Sequence, residues 1–141
     1  MAIPAESERP DVTMFRCLFE GRSEATILGD LANRIVGCTR NARRLLDDAA
    51  FLVQAERYAT ATFVTTTATE EIAKAYILLD CVRLSSSRHT NVLKRLCRAF
   101  YDHIAKHACY SIHRFPTLTS MEHFKLAWDA ETVSVVVGRA P

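Results

Sequence analysis

The chain has 141 residues, 49% hydrophobic and 24% charged, with a net charge of +2, which fits one globular domain and excludes a multidomain enzyme, a disordered chain and a fibrous repeat. No apolar run approaches the roughly 18 residues that a membrane-spanning helix needs. Glu6, Glu8, Arg9, Asp11 and Arg16 occupy the stretch that a signal peptide would keep apolar, so the expectation is a soluble cytoplasmic protein with no membrane association.

Residues 1–24, with Pro4 and Pro10, read as an N-terminal arm carrying one short helix around Val12–Phe19, and residues 25–141 as a single helical domain. No glycine lies between Gly37 and Gly138 and no proline between Pro10 and Pro116, a distribution that favours helices over hairpins. Leu28, Leu31, Ile35, Ala42, Leu45, Leu46, Ala49 and Val53 recur at spacings of three and four and predict a first long helix over Ala25–Arg57, which Gly29 and Gly37 could bend or split. A second, Tyr58–Leu84, carries Ala61, Val64, Ala68, Ile72, Ala75, Tyr76, Leu79 and Val82 on one stripe, despite six threonines that are individually poor helix formers. The run Ser85-Ser86-Ser87 marks a turn, with Thr90 as the expected N-cap of a third helix bearing Leu93, Leu96, Cys97, Phe100, Ile104 and Ala108. Thr119-Ser120-Met121-Glu122 reads as a capping box opening a fourth helix through Trp128, and Val133–Val137 as its frayed or extended end. The predicted fold is all-α, a small up-and-down bundle of about four main helices.

The five cysteines are odd in number and lack zinc-site or redox spacing, so they read as reduced and mostly buried. Charge is distributed unevenly. Arg83, Arg88, Lys94, Arg95, Arg98, Lys106 and Arg114 face a single acid, Asp102, in one window that also holds His89, His103, His107 and His113. Such a segment suits an anionic partner such as RNA or a phosphate, and equally a solvated helix face.

On an ideal helix His103 and His107 lie about 40° apart and beside Phe100, so both are expected to point inward. Glu71 flanks the apolar stripe of the second helix, whereas Glu70 and Lys74 fall on its far side as an i,i+4 ion pair. A half-buried carboxylate and two half-buried imidazoles are each costly alone, so Glu71 and the histidines should meet. The cluster then either fixes helix register or takes part in phosphodiester chemistry. In metal-free RNA cleavage a histidine removes the ribose 2′-hydroxyl proton while an Arg or Lys stabilises the phosphorane oxygens. Arg98, His103, Lys106 and His107 supply those residue types. A metal reading would use His103 and His107, spaced i,i+4, with Glu71 as a third ligand, but the Glu-x-x-His pairs of a di-iron bundle are absent, and neither a metal nor a cofactor is expected.

The residues Asn41-Ala42, Leu45-Leu46, Asp48-Ala49, Glu70-Glu71-Ile72-Ala73-Lys74 and His103-x-x-Lys106 resemble the AbiV-type abortive infection proteins of bacteria, a branch of the HEPN superfamily. The resemblance spans about half the chain, Asn41–His107, and its most specific piece is the EExxK motif. It implies a helical bundle, often dimeric, acting in phage defence. Ribonucleases of the wider superfamily carry an Arg, four to six residues, then a His, and Arg98–His103 has the four-residue spacing. On an unbroken helix these two stand about 140° apart, so one active site needs a kink, a helix start near Arg98, or an arginine from a partner subunit.

The resulting expectation is a phage-defence homodimer acting as a metal-independent endoribonuclease toxin, with Arg98 and His103 catalytic and Glu71, Lys74, Lys106 and His107 in support. Two alternatives stand beside it. One is a catalytically silent bundle that binds a phage or host protein, the other an RNA- or nucleotide-binding module without turnover.

Overall fold

The computed structural model describes residues 9–84 and 86–114, together with the backbone of 124–128 and 133–137. The first two ranges form α1 (Pro10–Phe19), α2 (Glu24–Gln54), α3 (Tyr58–Val82), α4 (Thr90–Tyr101) and α5 (His103–Arg114). This is the helical bundle that the periodicity predicts. No helix among the described residues is long and apolar enough to cross a membrane.

Pro10 opens α1 at a position where its missing N–H has no intrahelical partner to lose. The expected short helix is therefore present in the N-terminal arm, and it is packed: Met14, Phe15, Leu18 and Phe19 are all buried. Ser23 caps α2 by accepting from the Thr26 amide at 3.3 Å, and α2 then runs for 31 residues through Gly29 and Gly37 without a break. Its end is a left-handed turn. Glu56 sits at φ 56°, while the Arg57 amide donates to the Leu52 carbonyl at 2.8 Å and the Glu56 amide to that of Val53 at 3.0 Å. That bonding pattern closes a helix and folds α3 back along α2.

The threonines of α3 do not break it because their hydroxyls bond backwards into the helix. Thr62, Thr65, Thr66 and Thr67 donate to the carbonyls four residues earlier and Thr69 to that of Thr66, at 2.7–3.1 Å.

The main core gathers Met14, Phe15, Leu18 and Phe19 of α1, Ile27 and Leu31 of α2, Leu78 and Cys81 of α3, and Leu93 and Cys97 of α4. A second, smaller cluster joins Ile77 to Ala99 of α4 and Ala105 of α5. The C-terminal half of α3 is thus buried on more than one side, so its predicted stripe drifts: Ile77, Leu78 and Cys81 are inside, whereas Leu79 and Val82 are each 40% exposed. Cys81 and Cys97 are buried, Cys38 and Cys109 half-buried and Cys17 exposed, all as free thiols. Burial pushes Cys81 and Cys97 up to about 12, so neither is a nucleophile at neutral pH.

Three predicted elements are corrected. Thr90 is the first residue of α4 and not its cap, its hydroxyl donating to the Ser86 carbonyl at 2.9 Å. The single third helix is two helices, interrupted at Asp102. Phe124–Trp128, predicted as helix, is a strand (β1) paired antiparallel with Val133–Val137 (β2), Phe124 opposite Val137 and Trp128 opposite Val133. Four valines in five residues favour the extended backbone, and Phe124–Trp128 is the partner that this strand requires. The capping box at 119–122 lies outside the described residues.

Truncating Leu78, fully buried in the main core, should cost about 2–5 kcal/mol in urea unfolding, and Leu79→Ala well under half of that. Equal losses would restore the simple stripe.

Candidate functional site

Asp102 ends one helix and starts the next. Its backbone is extended (φ −92°, ψ 121°), its amide donates to the Ala99 carbonyl, and its side chain accepts from the Ala105 amide at 2.9 Å as an N-cap. The Lys106 amide then bonds to the Asp102 carbonyl at 3.0 Å, closing the first turn of α5. The break resets the helical phase. Residues after Asp102 no longer share the stripe of α4, which is why Ile104, expected inside, is 66% exposed while Ala105 and Lys106 are buried.

The reset phase aims α5 at the EExxK segment of α3. Lys106 is only 4% exposed, and it is the one charged side chain fully buried among the described residues. Its Nζ donates to Glu70 Oε2 at 2.7 Å. The other oxygen of Glu70 lies 2.7 Å from His103 Nδ1 and 3.7 Å from His107 Nε2. Burial opposes the charge on Glu70, but hydrogen bonds from Lys106 and His103 and their positive charge outweigh it and hold the carboxyl down at about 2.

The predicted cluster forms with the neighbouring glutamate. Glu71 does not reach the histidines; it accepts from Lys74 at 2.6 Å, one turn along its own helix. Lys74, expected opposite Glu70, also lies 5.5 Å over the Phe100 ring. The inward orientation of the imidazoles is corrected too, since the His103 side chain is 75% exposed and that of His107 47%. The stripe used to place Glu71 was the one that drifts in the multiply packed half of α3. The signal that could have found the right arrangement is Asp102 itself, a strong N-cap residue three positions before Ala105.

Arg98 lies half-buried in the last turn of α4, across the break from His103. The basic window is partly spent internally: Lys106 on Glu70, Arg83 on Asp80 at 3.1 Å, and Lys94 over the Phe15 ring at 5.2 Å. Arg88 and Arg95 are exposed. Beside His107 an open groove of about 330 Å³ runs along α3, lined by Tyr58, Thr62, Thr65 and Thr69 among others.

Glu70→Ala strands a buried ammonium and should destabilise by about 3 kcal/mol or more. Glu71→Ala, which loses a partly exposed pair, should cost about 1 kcal/mol or less. A lowered folded-state pKa means that the Glu70 contribution is complete above the ordinary carboxylate value of 4.5 and fades as pH falls toward about 2. Urea midpoints at about pH 6 and about pH 3 should therefore differ less for Glu70→Gln than for wild type. Equal differences would assign acid sensitivity elsewhere.

Searches of curated proteins and of solved structures return no match. The family model HEPN_AbiV, described as AbiV, matches residues 30–136, most of the chain, including the EExxK segment of α3, Arg98, the break at Asp102 and all of α5. The chain belongs to the AbiV family of HEPN proteins.

Proposed function

We propose that this protein acts in abortive infection, the phage-defence response that membership of the AbiV family implies, and that it does so as a metal-independent endoribonuclease. The observation that carries the catalytic reading is a solvent-facing imidazole oriented by a carboxylate: His103 is 75% exposed, with Nδ1 2.7 Å from Glu70. When Nδ1 carries the proton toward Glu70, Nε2 is the free base. Nε2 then removes the proton from a ribose 2′-hydroxyl, the 2′-oxygen bonds to phosphorus, and the bond to the 5′-oxygen breaks, the leaving oxygen taking a proton from water. Arg98 stabilises the charge gathering on the non-bridging oxygens. Lys106 neutralises the second oxygen of Glu70, and His107 and the groove beside it receive the strand.

Purified protein should cut RNA but not DNA, in the presence of EDTA, leaving a 2′,3′-cyclic phosphate or its hydrolysis product. His103→Ala and Arg98→Ala should each lower the rate by at least about 100-fold with far-UV circular dichroism unchanged. Wild type that leaves single-stranded and structured RNA intact, or His103→Ala that protects cells from phage as well as wild type does, would replace this reading with the silent protein-binding bundle.

The same reading includes a homodimer. Away from the core, the paired ends of α2 and α3 bury only Ala42, Ala49, Ala61 and Ala68, yet Phe51 is 75% exposed, Phe63 73% and Tyr58 61%, an apolar concentration typical of subunit interfaces. Light scattering should give twice the chain mass at micromolar concentration and the monomer mass for Phe63→Asp. Monomer mass for wild type would count against it.

A further inference from the structure

We propose that Asp80, Cys109 and His113 form a binding site for a divalent transition-metal ion of the Zn²⁺ type, about one turn beyond the far end of the contact that Glu70 makes with α5. Among the described residues one group of three His, Cys, Asp or Glu side chains brings its ligand atoms within 4.8 Å of one another, and it is this one. Cys109 and His113 stand at i,i+4, which puts both on one face of α5, and Asp80 meets them from α3.

The spacing of the imidazole and the carboxylate also fits two ligands of one ion. His113 Nε2 lies 3.4 Å from Asp80 Oδ2, long for a charge-assisted hydrogen bond. Two ligands at about 2.0–2.1 Å from one tetrahedral ion sit about 3.3 Å apart. The orienting contacts are also present. Arg83 holds the other oxygen of Asp80 at 3.1 Å, leaving Oδ2 for the ion. Tyr76 stacks on the His113 ring at 4.4 Å and 11°, fixing its plane.

The donor set selects the metal class. One thiolate, one imidazole and one carboxylate suit a borderline ion, not Mg²⁺ or Ca²⁺, which prefer all-oxygen sites. On binding, the Cys109 thiol proton passes to solvent and the S–metal bond forms; two anionic ligands then balance the dication. The three groups also line a cavity of about 180 Å³ whose walls include Ile77, Leu96, Ala105 and Ile112. Three protein ligands beside such a space leave the fourth position to water or a small ligand.

The test uses the full chain, purified under reducing conditions and stripped by chelator. Titration with Zn²⁺ should give one site per chain. Co²⁺ should give a thiolate-to-cobalt charge-transfer band with the intense visible absorption of four-coordination. Cys109→Ser should abolish that band, and Cys109→Ser and His113→Gln should each weaken Zn²⁺ by more than about 100-fold, beyond the range of orienting residues. Cys17→Ser, which removes an exposed thiol, should leave both unchanged. Absence of stoichiometric binding overturns the site, as does a charge-transfer band lost in Cys17→Ser, or Zn²⁺ affinity that survives Cys109→Ser but not His103→Gln with His107→Gln. Because the proposed nuclease step uses no metal, EDTA-resistant cleavage and Zn²⁺ binding can each stand or fall alone.

Discussion

The buried ammonium of Lys106 constrains everything around it. An ion of that size loses several kcal/mol when it leaves water and recovers the loss only against a well-placed counter-charge. Glu70 is that counter-charge at 2.7 Å. The pair forms only if α5 presents residue 106 to α3, and α5 does so only because the chain stops being helical at Asp102 and starts again one residue later. A single extended residue, whose side chain caps the helix that follows it, therefore decides which face of the last helix is inside.

The second tie between these helices follows the same axis. Glu70 meets His103 and Lys106 near the start of α5, and Asp80 meets His113 near its end. The two carboxylates are ten residues apart on α3, and His103 and His113 are ten apart on α5, so the helices run side by side in the same direction over about 15 Å. The ties differ in character. Glu70 is bonded by a buried cation and an exposed imidazole, whereas Asp80 has Arg83 on one oxygen and, at the other, a loosely spaced imidazole with a thiol close by. The former is saturated without any ligand; the latter has spacing that a cation would complete.

Legibility in the sequence followed the number of faces each helix buries. The bounds of α2 and α3 were readable from three-four spacing to within a few residues, although Leu28, Leu46 and Val53 of the predicted α2 stripe are exposed. The C-terminal half of α3 packs against several neighbours, so a one-stripe reading put Leu79 inside and chose Glu71 over Glu70. The break at Asp102 carries neither Gly nor Pro, and the apolar pattern through Cys97 and Phe100 continues smoothly into Ile104; only the capping preference of aspartate opposes it. The valine run at 133–137 was visible as β-branched, but its partner was concealed by a helical-looking Phe124–Trp128. The cost of burying charge alone brought the EExxK segment and the histidines at 103 and 107 together, while the choice between adjacent glutamates needed the phase that only the three-dimensional structure supplies.

Glu70 divides two tasks between its two oxygens. Oε2 holds Lys106, and that bond belongs to the fold; Oε1 holds His103, whose ring is mostly in solvent and adds little to packing. A carboxylate of this kind is rigid because of the first bond and orients because of the second, so the imidazole inherits a fixed direction without being buried. Loss of the glutamate disturbs fold and imidazole together, whereas loss of His103 leaves the Lys106 bond in place. The chemistry of the exposed ring is therefore separable from the stability of the helix that carries it, and histidine substitutions can distinguish a nuclease from a bundle that only binds.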